Sequence, residues 1–333
     1  MSYALSLLDK SLIQRGEAAP AALARTTALA QRAEQLGFHR FWLAEHHGFK
    51  THASSAPEIL IAFILARTSR IRVGAGGVML QHYSPYKVAE TFNVLAGLAP
   101  GRVDLGVGKA PGGFPLSTRA LQAENDPARR LDFAEKVAAV DDFIRAQADA
   151  IAMPLPTVPP ERFLLGASVD SAILAGERGW RFVFAGQFNG DADLIDRSFA
   201  AYAKLSPAAP ILCVSAFVAA QQHEAEERLA GLRVFKLHLP GGQSVNLGTP
   251  EQAAEYARQA GVTEFRIEET KPSVLTGTGA HVKRELDRLH DRHGIGEFVI
   301  DMPVAGEAER FAAIELLARD VIGARALAQE SQS

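Results

Sequence analysis

Short apolar runs alternate with amphipathic stretches along the chain. ALSLLD (4–9), RFWLAEHH (40–47), IRVGAGGVML (71–80), VDLGVGKAP (103–111), RFLLGAS (162–168), RFVFAG (181–186), ILCVSAFVA (211–219) and EFVIDMPV (297–304) read as strands. They carry few polar interruptions, the pattern of parallel strands buried on both faces. Between them lie helical stretches. The first runs from Pro20 to a stop at Gly37, the punctuation expected of a helix. Others are expected near Ala56–Ala66, Pro85–Leu98, Pro127–Ala146, just before Gly179, Asp191–Leu205 and Glu307–Ala318. Eight strands, each followed by a helix, predict an α/β fold closed as a (β/α)8 TIM barrel. An open, doubly wound sheet is the competitor, because its strands read the same way.

Residues 225–296 fit the alternation least well. GTPEQAAEYARQAGVTEFRIEE and GTGAHVKRELDRLHDRHGIGEFVIDMP look like two copies of one helix-and-strand pattern. Two copies do not make a solenoid. The expectation is therefore one domain over 1–333 with an insertion near 225–275, only the second copy delivering a barrel strand.

Composition narrows the function classes. With 47% hydrophobic and 22% charged residues, the chain has the make-up of a globular protein. A formal net charge of -3 and no basic stripe argue against nucleic acid; Arg129, Arg130, Lys283 and Arg284 fall inside amphipathic patterns with acids nearby. The apolar run from Ile59 to Ala66 is far short of the ~20 residues that span a bilayer, so no membrane partner is expected. The first residues lack the basic start of a signal peptide, and the lone Cys213 sits in a strand pattern as a core residue; both suit a cytoplasmic protein.

In a (β/α)8 barrel the loops after the strand C-termini carry the chemistry. Glu45, His46 and His47 stand at such an end. Neighbouring strand residues face opposite sides, so one histidine should enter the pocket and the other brace its wall. A metal centre needs several ligands converging from different strand ends, and a glycosidase needs two facing carboxylates. Strand 1 ends in Leu-Asp-Lys, strand 4 in Gly-Lys, strand 5 in Ala-Ser and strand 7 in apolar residues, too few ligands for a metal, and strand ends 4 and 7 offer no carboxylate for a glycosidase. Gly74, Gly76 and Gly77 interrupt the third strand, marking a bulge, a flat ring lying against the backbone, or a tight barrel interior. Gly106, Gly108 and Lys109 do not follow the spacing of a dinucleotide or P-loop motif, which leaves Lys109 as a cation at the end of strand 4. Ser168 and Ser171 open the helix after strand 5, where free N–H groups, hydroxyls and the helix dipole suit an anion. Together with Lys109 they would bind a phosphate; separately they read as an N-cap and a solvated charge. Gln187 follows the sixth strand at the same end.

FWLAEHHGF, together with SSAPEILIAFILARTSRIRVGAGGVMLQHYSPYKVAETFNVLAGLAPGRVDLGVGKAPGG, resembles the bacterial luciferase-like monooxygenases, and more loosely so do LLGASVDSAILAGERGWRFVFAGQFN and the second repeat copy. The resemblance implies a barrel that binds reduced FMN (FMNH2), or in some branches the deazaflavin F420. It implies His46 as the catalytic histidine, titrating near neutrality, with Glu45 holding its imidazole and His47 shaping the pocket. Ala75, Gly76 and Gly77 would form a bulged strand, often with a non-prolyl cis peptide, against the flavin ring. Gly108, Lys109, Ser168, Ser171 and Gln187 would complete the cofactor site. The sequence departs from the family pattern at Lys109, where arginine is usual, and at Gln81, where proline is common. The implied activity is O2-dependent oxidation of a small organic substrate, with FMNH2 from a separate flavin reductase, in a homodimer. F420-dependent hydride transfer and flavin binding without turnover are the alternatives. The loop 111–127 is the expected lid.

Overall fold

The computed structural model describes residues 3–126, 130–187 and 190–323. Eight parallel strands close on themselves: β1 (Ala4–Asp9), β2 (Arg40–Leu43), β3 (Arg72–Met79), β4 (Val103–Gly108), β5 (Glu161–Gly166), β6 (Arg181–Ala185), β7 (Ile211–Val218) and β12 (Glu297–Asp301). β12 pairs with both β7 and β1, and β6 pairs with β7, so no barrel edge is left open. Helices α1 (Ala19–Gln35), α2 (Pro57–Leu65), α3 (Pro85–Leu98), α4 (Pro115–Leu121), α5 (Phe133–Ile144), α6 (Val169–Glu177), α7 (Ala192–Ala203), α8 (Gln222–Leu229), α10 (Gly279–His293) and α11 (Glu307–Leu317) connect and follow them. The open-sheet alternative is thereby excluded.

The strands' side-chain alternation builds two cores. Leu8, Trp42, Phe163, Val183, Ile211, Cys213 and Val299 fill the barrel interior, while their sequence neighbours, such as Leu7, Phe41 and Leu212, pack in the cluster shared with the helices. Cys213 is an interior residue. The glycines of β3 and β4 belong to this packing. A Cβ on Gly76 would lie 2.9 Å from Leu8 Cδ1 and 3.0 Å from the Trp42 side chain, and one on Gly106 would overlap the Ala75 carbonyl. Small residues here leave room for Trp42, which meets Phe163 edge-on at 4.9 Å. Of the three readings open for that glycine run, tight interior packing accounts for these two positions; a register shift between Ala75 and Val78 and a cis Gly76–Gly77 peptide are present as well.

Three sequence boundaries shift. β2 stops at Leu43, so Ala44–His47 already belong to the loop. The helix expected from Pro127 begins instead at Phe133, because Asp132 and Glu135 form a capping box: the Glu135 N–H donates to Asp132 Oδ1 (2.8 Å) and the Asp132 N–H to Glu135 Oε2 (2.7 Å). Pro127–Arg129 lie outside the described residues. The loop after strand 4 contains α4, whose Leu116 N–H donates to Gln259 Oε1 at 3.1 Å.

Between β7 and β12 the chain builds a small antiparallel sheet in the order β10 (Arg266–Thr270), β8 (Val234–His238), β9 (Ser244–Leu247), with α9 (Pro250–Ala260) alongside. Leu237 and Leu247 pack with Ala253, Ala257 and Phe114, so α9 and the loop after strand 4 cover one face. The short strand β11 (Leu275–Gly277) then rejoins β7. The first repeat copy thus becomes α9 and β10, the second α10 and barrel strand β12.

At the N-terminal end of the barrel, Arg40 is buried between Asp104 (2.9 Å) and Glu297 (2.9 Å). Asp104 also accepts from Trp42 Nε1 (2.9 Å) and from Arg72 (2.6 Å). Breaking a buried pair strands its partner's charge, at about 3–5 kcal/mol. Asp104→Asn is therefore expected to lower unfolding free energy by about that much in guanidinium titration; a change under ~0.5 kcal/mol, ordinary for surface sites, would show that Arg40 does not depend on it.

Candidate active site

The opening formed by the strand C-termini leads into a cavity of about 920 Å³, a volume at the large end for ligand sites. His46, His52, Lys10, Asp301, Ser215 and Gln187 line it from the barrel side. His46 is held by its backbone N–H, which donates to Ser54 O at 2.9 Å. Its ring stacks on His52 (centroids 4.4 Å apart, planes 30° apart) and meets Phe49 edge-on at 5.9 Å. Nδ1 of His46 and Oε1 of Gln187 are buried and have no hydrogen-bond partner among the described residues. Buried polar atoms are rarely left unpaired in a finished fold, and both of these belong to residues that line the cavity.

Burial pushes the His46 imidazole well below the usual histidine range, helped by repulsion from His52, Lys10 and His47. The sequence reading had it titrate near neutrality; the structure makes it a neutral imidazole there. Burial, followed by the Lys10 charge, likewise lowers His52, to about 4.

Glu45 and His47 are placed behind the wall. Glu45 Oε1 accepts from Tyr83 (2.7 Å) and pairs with His47 Nε2 (2.7 Å), while Oε2 accepts from the Met79 N–H (3.1 Å). Glu45 therefore holds His47 rather than His46, which corrects the expected pairing. Neither residue lines the cavity. Their bonds tie the loop after β2 to the end of β3, and the His47 N–H adds a 2.8 Å bond to Gly112 O. One histidine enters and the other braces, the outcome expected, although both stand in the loop after β2 rather than on the strand.

The expected phosphate residues gather at the same barrel end but outside this lining. Gly108 stands opposite Leu165 across β4 and β5, so Lys109 and Ser168 leave adjacent strands together. Lys109 is exposed and has no ion-pair partner among the described residues. Ser168 caps α6 by accepting from the Ser171 N–H (3.2 Å), and the two hydroxyls lie 2.9 Å apart. Gln81 donates to the Lys109 carbonyl at 2.5 Å and so fixes that corner. Ala75 is buried in the core shared with the helices, and Gly76 and Gly77 pack against Trp42 and β4; none of the three lines the cavity.

The sequence reading missed His52, Lys10 and Asp301, which converge on His46. Lys10 Nζ and Asp301 Oδ2 are 2.6 Å apart. The available signal was their position: LLDK and FVID are the ends of β1 and β12, which are neighbours once the barrel closes. The polar face of the small sheet, carrying Lys236, Asn246 and Thr270, forms the opposite wall.

A closed parallel barrel with a polar cavity at its strand C-termini is the architecture of a (β/α)8 enzyme. The family model for luciferase-like monooxygenases matches residues 4–296, and the chain belongs to that family and is an oxidoreductase of the monooxygenase type. It is 44% identical to the N-acetyl-S-alkylcysteine monooxygenase of Bacillus subtilis (strain 168), covering 96% of this chain and 99% of the relative. Among solved structures it resembles apo-MsnO8 (TM-score 0.75, 28% identical, 96% and 98% covered). It also resembles the oxygenating constituent of 3,6-diketocamphane monooxygenase from Pseudomonas putida, a type II Baeyer-Villiger enzyme in complex with FMN (TM-score 0.71, 18% identical, 96% and 98% covered). At that identity the last comparison speaks for the fold alone. Among the described residues no helix is long and apolar enough to cross a membrane.

The depressed histidines set a pH dependence. The unfolded chain takes up protons as pH falls below the ordinary histidine value, and the folded protein resists them, so stability present above about 6.5 declines toward about 4. Thermal midpoints are expected to fall across that window, and His52→Gln is expected to flatten part of the slope. An unchanged slope in that variant would remove His52 from the account.

Proposed function

We propose that the protein is an FMN-dependent monooxygenase of the cytoplasm that receives FMNH2 from a separate flavin reductase and oxidises a small organic thioether of the N-acylated cysteine class. The observation that carries the reading is that His46 and Gln187, each with a buried polar atom that lacks a partner among the described residues, line a cavity at the catalytic end of a luciferase-like barrel. The substrate class follows the relative that is 44% identical over nearly the whole chain.

The residues present fit FMN. Lys109, Ser168, Ser171 and the N-terminus of α6 would hold the phosphate, Lys109 as a point charge where an arginine would give a fork. The bulged end of β3 at Ala75, Gly76 and Gly77, with Gly108 beside it, would form the edge of the ring site, and Gln187 would meet a polar ring edge. When bound, reduced FMN supplies the two electrons with which one atom of O2 enters the substrate and the other leaves as water. His46, kept neutral, offers a hydrogen bond at a fixed point and does not place a charge beside the reacting atoms. Phe49 and Phe114, in contact at 4.8 Å, form an apolar shoulder that helps to exclude water.

A reductase-coupled assay with FMN, N-acetyl-S-methylcysteine and O2 tests the reading. Product is expected to form with FMN and not with F420. Lys109→Ala is expected to weaken FMN binding far more than riboflavin binding, since only FMN carries the phosphate. His46→Ala is expected to keep FMN binding and to slow product formation by ~10²-fold, in the range of a positioned catalytic group, while H2O2 rises. Equal losses for FMN and riboflavin, or unchanged coupling without His46, would defeat the respective assignment.

The homodimer belongs to the same proposal. α2 and α3 are neighbouring helices, and they expose Ile59 (67%), Phe63, Val94 and Leu98 (71%) on their outer surfaces. Apolar residues at those spacings on adjacent helices suit burial against a second copy. Light scattering is expected to give twice the protomer mass and to drop to the protomer value for Leu98→Glu; a monomeric parent protein would sink the idea.

A further inference from the structure

The wall contributed by the small antiparallel sheet carries charge that the fold leaves unused. Along β8, Val234 and Lys236 face the cavity while Leu237 packs on α9. Along β9, Ser244 and Asn246 face it, and along β10, Glu268 and Thr270. Alternation thus turns the polar face of the sheet toward the barrel mouth, where Ser244, Asn246 and Lys271 stay exposed.

The cavity is lined by four cations, Lys10, Arg233, Lys236 and Lys271, and by two carboxylates, Glu268 and Asp301. Asp301 is taken by Lys10 at 2.6 Å. Glu268 is taken by His238 (2.8 Å) and Arg266 (3.0 Å). Arg233 is taken by Glu269 at 3.0 Å. Lys236 sits between Glu268 and Asn246 in the sheet register, yet neither its ammonium nor that of Lys271 has an ion-pair partner among the described residues. Among the described residues, the cavity therefore holds two uncommitted positive charges and no uncommitted negative one.

We propose that Lys236 and Lys271 are the anchor for the substrate's carboxylate, and that the site selects substrates with a blocked amine because no carboxylate is left to receive an ammonium. This deepens the reading given above and rests on it for the scaffold of the substrate. An N-acylated S-alkylcysteine offers one carboxylate, a neutral amide and an apolar thioether. The carboxylate goes to the lysines, leaving the thioether free to extend toward His46 on the opposite wall. A free amino acid would bring an ammonium into a positive site, which costs affinity. The flavin phosphate is the other anion that could claim these lysines, and the test separates the two.

Calorimetric titration reads binding without turnover. N-acetyl-S-methylcysteine, its methyl ester and S-methylcysteine would be titrated into the parent protein and into Lys236→Gln/Lys271→Gln, with FMN and riboflavin as further arms. The acid is expected to bind at least tenfold tighter than the ester and the free amine in the parent. The advantage over the ester is expected to disappear in the double variant while ester and FMN affinities hold, and Lys236→Arg is expected to keep part of it. Equal binding of acid and ester by the parent, no binding of the acid, or survival of the advantage without the lysines would overturn the proposal. So would a variant that loses FMN affinity but keeps riboflavin affinity, since the lysines would then serve the phosphate. Lysine-dependent binding of an acid that the coupled assay fails to oxidise would keep the anchor and defeat the oxidation reading, whereas turnover indifferent to the carboxylate would do the reverse.

Discussion

The barrel depends on one buried guanidinium. Arg40 enters at the start of β2, and its charge is met by Asp104 on β4 and Glu297 on β12, with Glu161 of β5 at 3.0 Å. Ser6 of β1 donates to Glu297 at 2.6 Å, and Arg72 of β3 completes Asp104. Burial would drive the arginine toward neutrality, but the surrounding carboxylates prevail and hold it more firmly protonated than usual. A charge in so apolar a place is tolerable only with its partners at these distances. The network therefore sets the strands' relative positions at the end away from the cavity. It is a specificity device more than a source of net stability, since hydrophobic replacements of such clusters often cost little.

That fixed floor explains the glycines. With Asp104 bonded to both Arg40 and Trp42, the indole is held in the barrel interior beside the network. Gly76 then has no room for a side chain. The neighbouring glycine stretch had suggested a ring lying against the backbone, and sequence alone could not separate that from interior packing, because both demand a missing Cβ. The missing Cβ at Gly76 follows from where Trp42 goes, and that follows from a hydrogen bond to a residue 62 positions away.

The same distinction governs what was legible at the site. Strand order was readable because each barrel strand is buried on both faces and announces itself by continuous apolar character. His46 was readable from its place at a strand end. The partner of Glu45 was not, because β2 ends at Leu43 and the loop geometry, rather than strand alternation, decides which histidine it meets. Nor was the histidine's protonation state, which depends on burial and on repulsion from His52 and Lys10, residues brought in by other loops and strands. The small sheet was visible as an irregularity between β7 and β12, but its alternation reads as an ordinary half-exposed sheet. Only the docking of α9 and Phe114 on its apolar side shows that its polar side turns inward.

The cavity accordingly has two walls with different origins. The barrel wall consists of residues at strand ends, braced by bonds such as those of Glu45 to His47, Tyr83 and Met79, and its geometry is tied to the rigid scaffold. The facing wall is an insertion that meets the barrel through the α9 and α4 contact and the Phe114 cluster. Residues on it can change without disturbing the Arg40 network at the other end. Groups whose position must be held closely for a reaction belong on the first wall, and groups that select among substrates belong on the second. The distribution of charge fits that division: the barrel wall pairs Lys10 with Asp301 and leaves neutral His46 and Gln187 open, whereas the insertion wall keeps Lys236 and Lys271 uncommitted.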